Sequence, residues 1–293
     1  MNFFSLCGWN KCFLPYLDIM ATSGKKKVDL QRWLAEANNE FLAHISLDCV
    51  VFGFHAGQLR ILLLKMKNQD QLALPGGFVL QQERLEEAAI RTLEERTGLE
   101  NIFLQQFHVF SDPARGEPER AAGSGKGRGE PVSRSEQLKK LGMHPAKMEW
   151  FAQRFISVGF YALVEFSRVD PTPDAISDVC DWYSLEERGK LILDHDRILH
   201  SALAALRVQL NYQPIGYNLL PRKFTMPELQ KLYETILDKK LDRRNFQRKI
   251  LSYGILNILD EKRTGVAHKA PYLYSFHLRN YQKALKLGLG GGW

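Results

Sequence analysis

The stretch LPGGFVLQQERLEEAAIRTLEERTGL, residues 74–99, constrains the fold more than any other part of the chain. Pro75, Gly76 and Gly77 break regular structure, and Gly77 is expected to supply a tight turn. Residues 84–97 carry a helical pattern, with Leu93 and Leu99 as core contacts. Gly98 stands where a left-handed residue stops a helix. Upstream, HISLDCVVFGFHAGQLRILLLKMK predicts two strands joined at His-Ala-Gly-Gln, with Gly57 in the turn. A short strand over 72–74 leads into the glycines. Strands feeding a loop and a helix exclude an all-α or all-β domain and point to an α/β sandwich.

Further strands are expected over 101–110, 154–166 and 179–184. A helix over 196–209 carries Ile198, Leu199, Ala202, Leu203, Leu206 and Leu210 on its apolar face. Residues 112–147 contain almost nothing apolar and read as a flexible surface insertion, because they cannot bury enough to offset their ordering entropy. Residues 211–222 are irregular, with Pro214, Gly216 and Pro221. The expected organisation is a flexible extension (1–28), an α/β domain (29–212) that opens with an amphipathic segment over 30–41, a second domain (213–282) and a flexible tail (283–293).

Charge separates the two domains. The chain carries forty Lys and Arg against thirty-three Asp and Glu, for +7 and a pI near 9.1. From Pro221 onward there are fifteen basic and six acidic residues, a net of +9, leaving twenty-five against twenty-seven, or −2, before it. A small, strongly basic domain suits a polyanion. The four cysteines, Cys7, Cys12, Cys49 and Cys180, lack metal-ligand spacing and are too few for a disulfide scaffold, so a reducing cytoplasm is expected. No uninterrupted apolar run reaches about 18 residues, and no membrane span is expected. The first residues make a poor signal peptide, and residues 1–19 read as an upstream extension or an ordinary tail.

Within the basic domain, Thr225-Met226-Pro227-Glu228 is a capping box ahead of the apolar stripe Leu229, Leu232, Tyr233, Ile236 and Leu237. Asp242 is a plausible N-cap for a second helix ended by Gly254. There Phe246, Ile250 and Tyr253 share one face, while Arg243, Arg244, Gln247 and Arg248 point largely outward. Residues 255–259 and 272–276 then predict a hairpin whose basic tip begins at 260–265. Helix, short link, basic helix and basic hairpin is the order of a winged helix-turn-helix, whose second helix enters the major groove while the hairpin follows the backbone. Candidate DNA contacts are Arg243, Arg244, Asn245, Gln247, Arg248 and Lys249 on the helix, with Lys262, Arg263, His268 and Lys269 in the hairpin.

Gly77, Glu83, Arg91, Leu93, Glu95, Gly98 and Leu99 match seven of the nine defined positions of the Nudix signature, so the first domain resembles the Nudix family. The resemblance implies an α/β/α sandwich whose usual work is cleaving nucleoside diphosphates linked to another moiety. It also implies that positions 92, 95 and 96 hold a divalent metal. Here they are Thr92, Glu95 and Arg96, so two carboxylates are gone and one is replaced by a cation; no competent metal site, no catalytic residue and no metal cofactor are expected. Glu83 and Arg91 read as a structural ion pair. Both halves together resemble the NrtR-like, Nudix-related transcriptional regulators, through 194–199, 218–225, 228–230, 232–234 and 241–246.

That second resemblance implies a homodimer on palindromic double-stranded DNA and a small-molecule effector, either an ADP-ribose-type metabolite or a sugar. Residues 213–221 look closer to the sugar-responsive branch. Candidate effector contacts are Glu83, Arg91, Glu95 and Arg154. Two alternatives stand beside this reading: a magnesium-dependent Nudix hydrolase with an accessory domain, and an RNA-binding or scaffolding module. His195, flanked by Asp194 and Asp196, reads as part of a capped helix start rather than an acid–base catalyst. Trp150, Trp182 and Tyr183 read as packing residues, and His144 and His277 are isolated.

Overall fold

A computed structural model describes residues 41–67, 70–100, 102–113, 115, 153–174, 176–263 and 270–289. The long strand β1 (Phe41–His55) organises the first domain. Its C-terminal half pairs antiparallel with β2 (Gln58–Met66), across a turn in which Ala56 and Gly57 both take positive φ. Its N-terminal half pairs antiparallel with β4 (Gly76–Leu80), after β3 (Leu72–Ala73) has paired with β2. Beyond helix α1 (Leu85–Thr97), β5 (Phe103–Phe110) joins β6 (Ile156–Leu163), which runs parallel to β1 in the centre of the sheet. Strand β7 (Ser177–Ser184) closes the other edge on β2, and helix α2 (His195–Tyr212) follows.

The two-residue period of β1 sorts its side chains between the faces. Leu47, Cys49 and Val51 pack under α1 with Ala88, Ala89 and Leu93. Val50 and Phe52 pack under α2 with Ile198, Leu199, Ala202 and Leu206. Helices therefore cover both faces, giving the expected α/β/α sandwich. Asp48 shares the α2 face, so a carboxylate enters the core there.

The second unit comprises β8 (Phe224–Thr225), α3 (Met226–Leu237), α4 (Arg243–Ser252), β9 (Leu256–Lys262), β10 (Tyr272–Phe276) and α5 (Leu278–Leu287). Its sheet has the order β8-β10-β9. The capping box forms as expected: Thr225 Oγ1 accepts from the Glu228 amide, and Glu228 accepts from the Thr225 amide at 2.7 Å. Asp242 caps α4 through the Asn245 amide at 2.9 Å.

A single apolar cluster joins the two units. It runs from Phe52, Ile61 and Leu63 through Leu206 and Leu210 to Leu229, Leu232, Phe246 and Ile250. Polar ties reinforce it. Thr235 Oγ1 donates to the Gly57 carbonyl at 3.1 Å, and Arg207 Nε donates to the Ile236 carbonyl at 2.8 Å.

The structure corrects several expectations. Gly77 is not in a turn: it lies in β4 opposite Leu47, where a Cβ would stand 2.7 Å from Thr92 Oγ1. Its requirement is close approach of strand to helix. Residues 283–293 are not all tail, since α5 continues to Leu287. Tyr281 donates to the Pro214 carbonyl at 2.8 Å, and Leu289 is buried. The hairpin tip does not begin at 260, because β9 pairs with β10 as far as Lys262. The insertion is not wholly free of the fold, because Arg115 within it is buried in an ionic network. Residues 1–28, 30–40, Trp150, His144, His268 and Lys269 lie outside the described residues. Among the described residues, no helix is long and apolar enough to cross a membrane.

Candidate effector site and nucleic-acid interface

The loop between β4 and α1 is stapled from within. Arg91 forks onto Glu83, with Nε to Oε1 and Nη2 to Oε2 both at 2.8 Å, and Nη2 also donates to the Phe78 carbonyl at 2.9 Å. Glu83 accepts from the Leu80 amide at 3.1 Å. A bidentate, partly buried pair of this kind fixes a loop more than it offers groups to a ligand. Gly98 ends α1 with φ 66°, as its position demands.

The positions that would hold a metal do not fit one. Thr92 is 1% exposed and faces Gly77, and its hydroxyl lacks a hydrogen-bond partner. The Arg96 guanidinium lies between Glu95 at 3.6 Å and Asp174 at 3.5 Å, placing a cation where a divalent ion needs oxygen. Around it the Thr172 amide donates to the Arg96 carbonyl and the Asp170 amide to the Thr97 carbonyl, both at 3.0 Å. Arg96 therefore fastens the 170–174 loop to the end of α1. Among the described residues no group of three His, Cys, Asp or Glu side chains is placed to bind a metal.

Asp48 is the centre of a network on the opposite face. Arg115 Nη2 donates to Asp48 Oδ2 at 2.7 Å, and Arg115 Nε donates to Asp194 Oδ2 at 2.8 Å. Ser157 Oγ also donates to Asp48. His195 Nδ1 accepts from the Leu74 amide at 2.9 Å, which leaves Nε2 toward Asp48 Oδ1 at 3.5 Å. Burial works against the Asp48 carboxylate; His195, Arg115 and Ser157 outweigh it and hold its pKa below the ordinary value. Burial lowers the His195 pKa despite the nearby carboxylates. Asp194 does not cap α2 with its side chain, contrary to expectation, because it is turned toward Arg115. Asp196 instead accepts from the Leu191 amide at 3.0 Å and pairs with Arg188.

Near the start of β6, His44, Gln153, Arg154 and Ile156 line a cavity of about 500 Å³. His44 sits there with φ 65°, where the pairing of β1 with β4 is interrupted. Phe155 meets His44 edge-on at 5.9 Å and Phe78 at 5.5 Å. Arg154 donates to the Ser111 carbonyl at 2.6 Å.

In the second unit, Phe246 packs edge-on against Tyr233 at 5.4 Å, seating α4 on α3. Gln230 donates to the Leu241 carbonyl at 2.9 Å, and Glu234 accepts from the Leu241 amide at 2.9 Å, fixing the link between the helices. Arg243, Arg244, Asn245 and Arg248 are exposed, whereas Gln247 and Lys249 are half-buried. Arg248 donates to Asn245 Oδ1 at 2.9 Å. Lys262 stands 5.0 Å over the Tyr272 ring, and Arg263 is bonded to Glu228.

Residues 42–123 match the NUDIX domain model, and residues 216–276 match the model of the NrtR DNA-binding winged helix domain. A protein of Acinetobacter baylyi named ADPR responsive transcriptional repressor NtrR is 30% identical over 245 residues, covering 81% of this chain and 83% of that protein. The chain belongs to the NrtR family. Its fold resembles the crystal structure of Shewanella oneidensis NrtR, with a TM-score of 0.62 and 22% identity over 86% of this chain and 100% of that one. The same protein complexed with a 27mer DNA gives a TM-score of 0.62 and 21% identity over 85% and 99%. A MutT/nudix family protein from Enterococcus faecalis gives 0.54 and 18% over 87% and 99%.

Membership in the NrtR family makes this chain a transcriptional regulator with a DNA-binding winged helix. Sequence reasoning about it missed Asp48, Arg115 and Ser157. One signal was present: Asp48 shares the strand period of Val50 and Phe52, and an ionised group in a core-facing register requires a partner.

Proposed function

We propose that this regulator senses an ADP-ribose-type metabolite through a Nudix domain that has lost hydrolysis, and transmits binding to the winged helix through the shared core. The observation that carries the reading is the Arg96 guanidinium clamped between Glu95 and Asp174, which replaces a metal site with a structural tie. No divalent metal is needed by such a sensor. The effector class is supported by the Acinetobacter baylyi relative, named as responsive to ADPR. The exposed Arg154 and the His44 ring that line the cavity suit a phosphate and a flat base, whereas Glu83 and Arg91 are held by each other.

On the DNA side, Arg243, Arg244, Asn245 and Arg248 present donors from one exposed helix, with Gln247 and Lys249 at its flanks. The protein acts in the cytoplasm as a homodimer on a palindromic operator, its two recognition helices about one helical turn apart. A mobility-shift assay with upstream DNA from neighbouring genes, with and without ADP-ribose or a panel of pentoses, tests the reading. ADP-ribose should change the affinity. A response to a pentose alone would reassign the effector, and binding to single-stranded RNA in preference to duplex DNA would overturn the regulator reading.

A further inference from the structure

Arg263, at the end of β9, is where a wing would offer charge to a DNA backbone, yet its guanidinium is already engaged. Its Nη2 donates to both carboxylate oxygens of Glu228, at 2.6 Å to Oε2. Its amide donates to the Pro271 carbonyl at 3.0 Å, fixing the base of the hairpin. Glu228 also accepts from the Thr225 amide at 2.7 Å and from Thr225 Oγ1 at 3.0 Å. Thr225 in turn pairs with Leu273 of β10. The end of β9, the strand β8 and the first turn of α3 therefore converge on one carboxylate. Two residues earlier on β9, Glu261 receives Lys223 Nζ at 2.7 Å on both oxygens.

We propose that Glu228 and Arg263 are positioning residues that set the angle of the hairpin against the helix pair, and that Arg263 is not a phosphate contact. The proposal rests on the winged-helix reading above. The pair is over a third exposed on both sides, so it adds little to stability and acts through geometry. The two hypotheses about Arg263 make opposite predictions at Glu228. If Arg263 touched phosphate, removing the neighbouring negative charge would leave DNA affinity unchanged or raise it. If the pair sets the wing, removing either partner misplaces it.

The experiment uses the full chain and a duplex enriched by the wild-type protein from a random-sequence pool, beside a scrambled duplex of equal length. Binding is followed by fluorescence anisotropy across a salt series for Glu228→Gln, Arg263→Gln and the double variant. The amide side chain introduced by Glu228→Gln keeps an acceptor oxygen for the Thr225 backbone N–H, and circular dichroism checks that α3 persists. Each single variant should weaken binding to the enriched duplex about five-fold or more, with the double variant no worse. The salt slope and the scrambled-duplex affinity should stay unchanged. Glu228→Gln binding as tightly as wild type or tighter, with Arg263→Gln weakening both duplexes and lowering the slope by about 0.9, would overturn the proposal. A wild-type protein that enriches no duplex would instead overturn the winged-helix reading together with it.

Discussion

Replacing Arg115 with methionine preserves much of the side-chain volume and removes only the charge that faces Asp48 and Asp194. The side chains of Arg115 and Asp48 are 7% and 8% exposed, so solvent cannot step in as a partner. Removing one member of a buried pair costs about 3–5 kcal/mol, because the other charge stays buried. Ser157 and His195 still face Asp48, which places the expected loss near the lower end, about 3 kcal/mol. Against a total stability of roughly 5–15 kcal/mol this is a large effect. Urea denaturation followed by tryptophan fluorescence measures it.

The sign with pH follows from linkage. In the wild type the folded pKa of Asp48 is depressed, so its contribution is present above about pH 4 and is lost as pH falls through the folded value. Without Arg115, Asp48 loses one of the groups that offset its burial, and its folded pKa rises from the wild-type position. The stability gap between wild type and variant therefore widens as pH rises from acid to neutral. A difference below about 1 kcal/mol at neutral pH, or one that does not change with pH, would refute the network as the anchor of α2.

Further outcomes follow from other contacts. Gly77→Ala should destabilise by about 1–3 kcal/mol, because the new Cβ meets the stiff, buried Thr92, and adding Thr92→Ala should recover most of the loss. Equal unfolding midpoints for wild type and Gly77→Ala would show that the helix moves away at no cost. Arg243→Ala and Arg244→Ala should each weaken specific DNA binding by about 1–3 kcal/mol without lowering the unfolding midpoint. Affinity unaffected by both changes would remove these residues from the interface. Because one apolar cluster spans both units, fluorescence and far-ultraviolet dichroism should report a single unfolding transition; two separated transitions would contradict that continuity.

What could be read from the sequence was what local chemistry determines. The capping box at Thr225, the Asp242 cap and the stop at Gly98 depend on neighbours within a few residues, and each formed as expected. The Asp48 network was out of reach because Arg115 and Asp194 lie 67 and 146 residues further along the chain, in segments whose composition suggested a loop and a cap. Gly77 illustrates a different limit. A glycine next to a glycine suggests a turn, while its actual role depends on a helix packing over it. Helix α5 was obscured by the glycine-rich end that follows it, although Tyr281 already had the long apolar side chain that the core accepts.

On this reading the chain couples an intact effector to DNA without hydrolysing it. The most direct measurement is anisotropy of an operator duplex bound to the full-length protein in excess EDTA, titrated with ADP-ribose, with the nucleotide recovered and analysed afterwards. DNA affinity should change without divalent metal, and ADP-ribose should be recovered whole. A response that appears only with magnesium or manganese, accompanied by release of AMP and ribose phosphate, would contradict it.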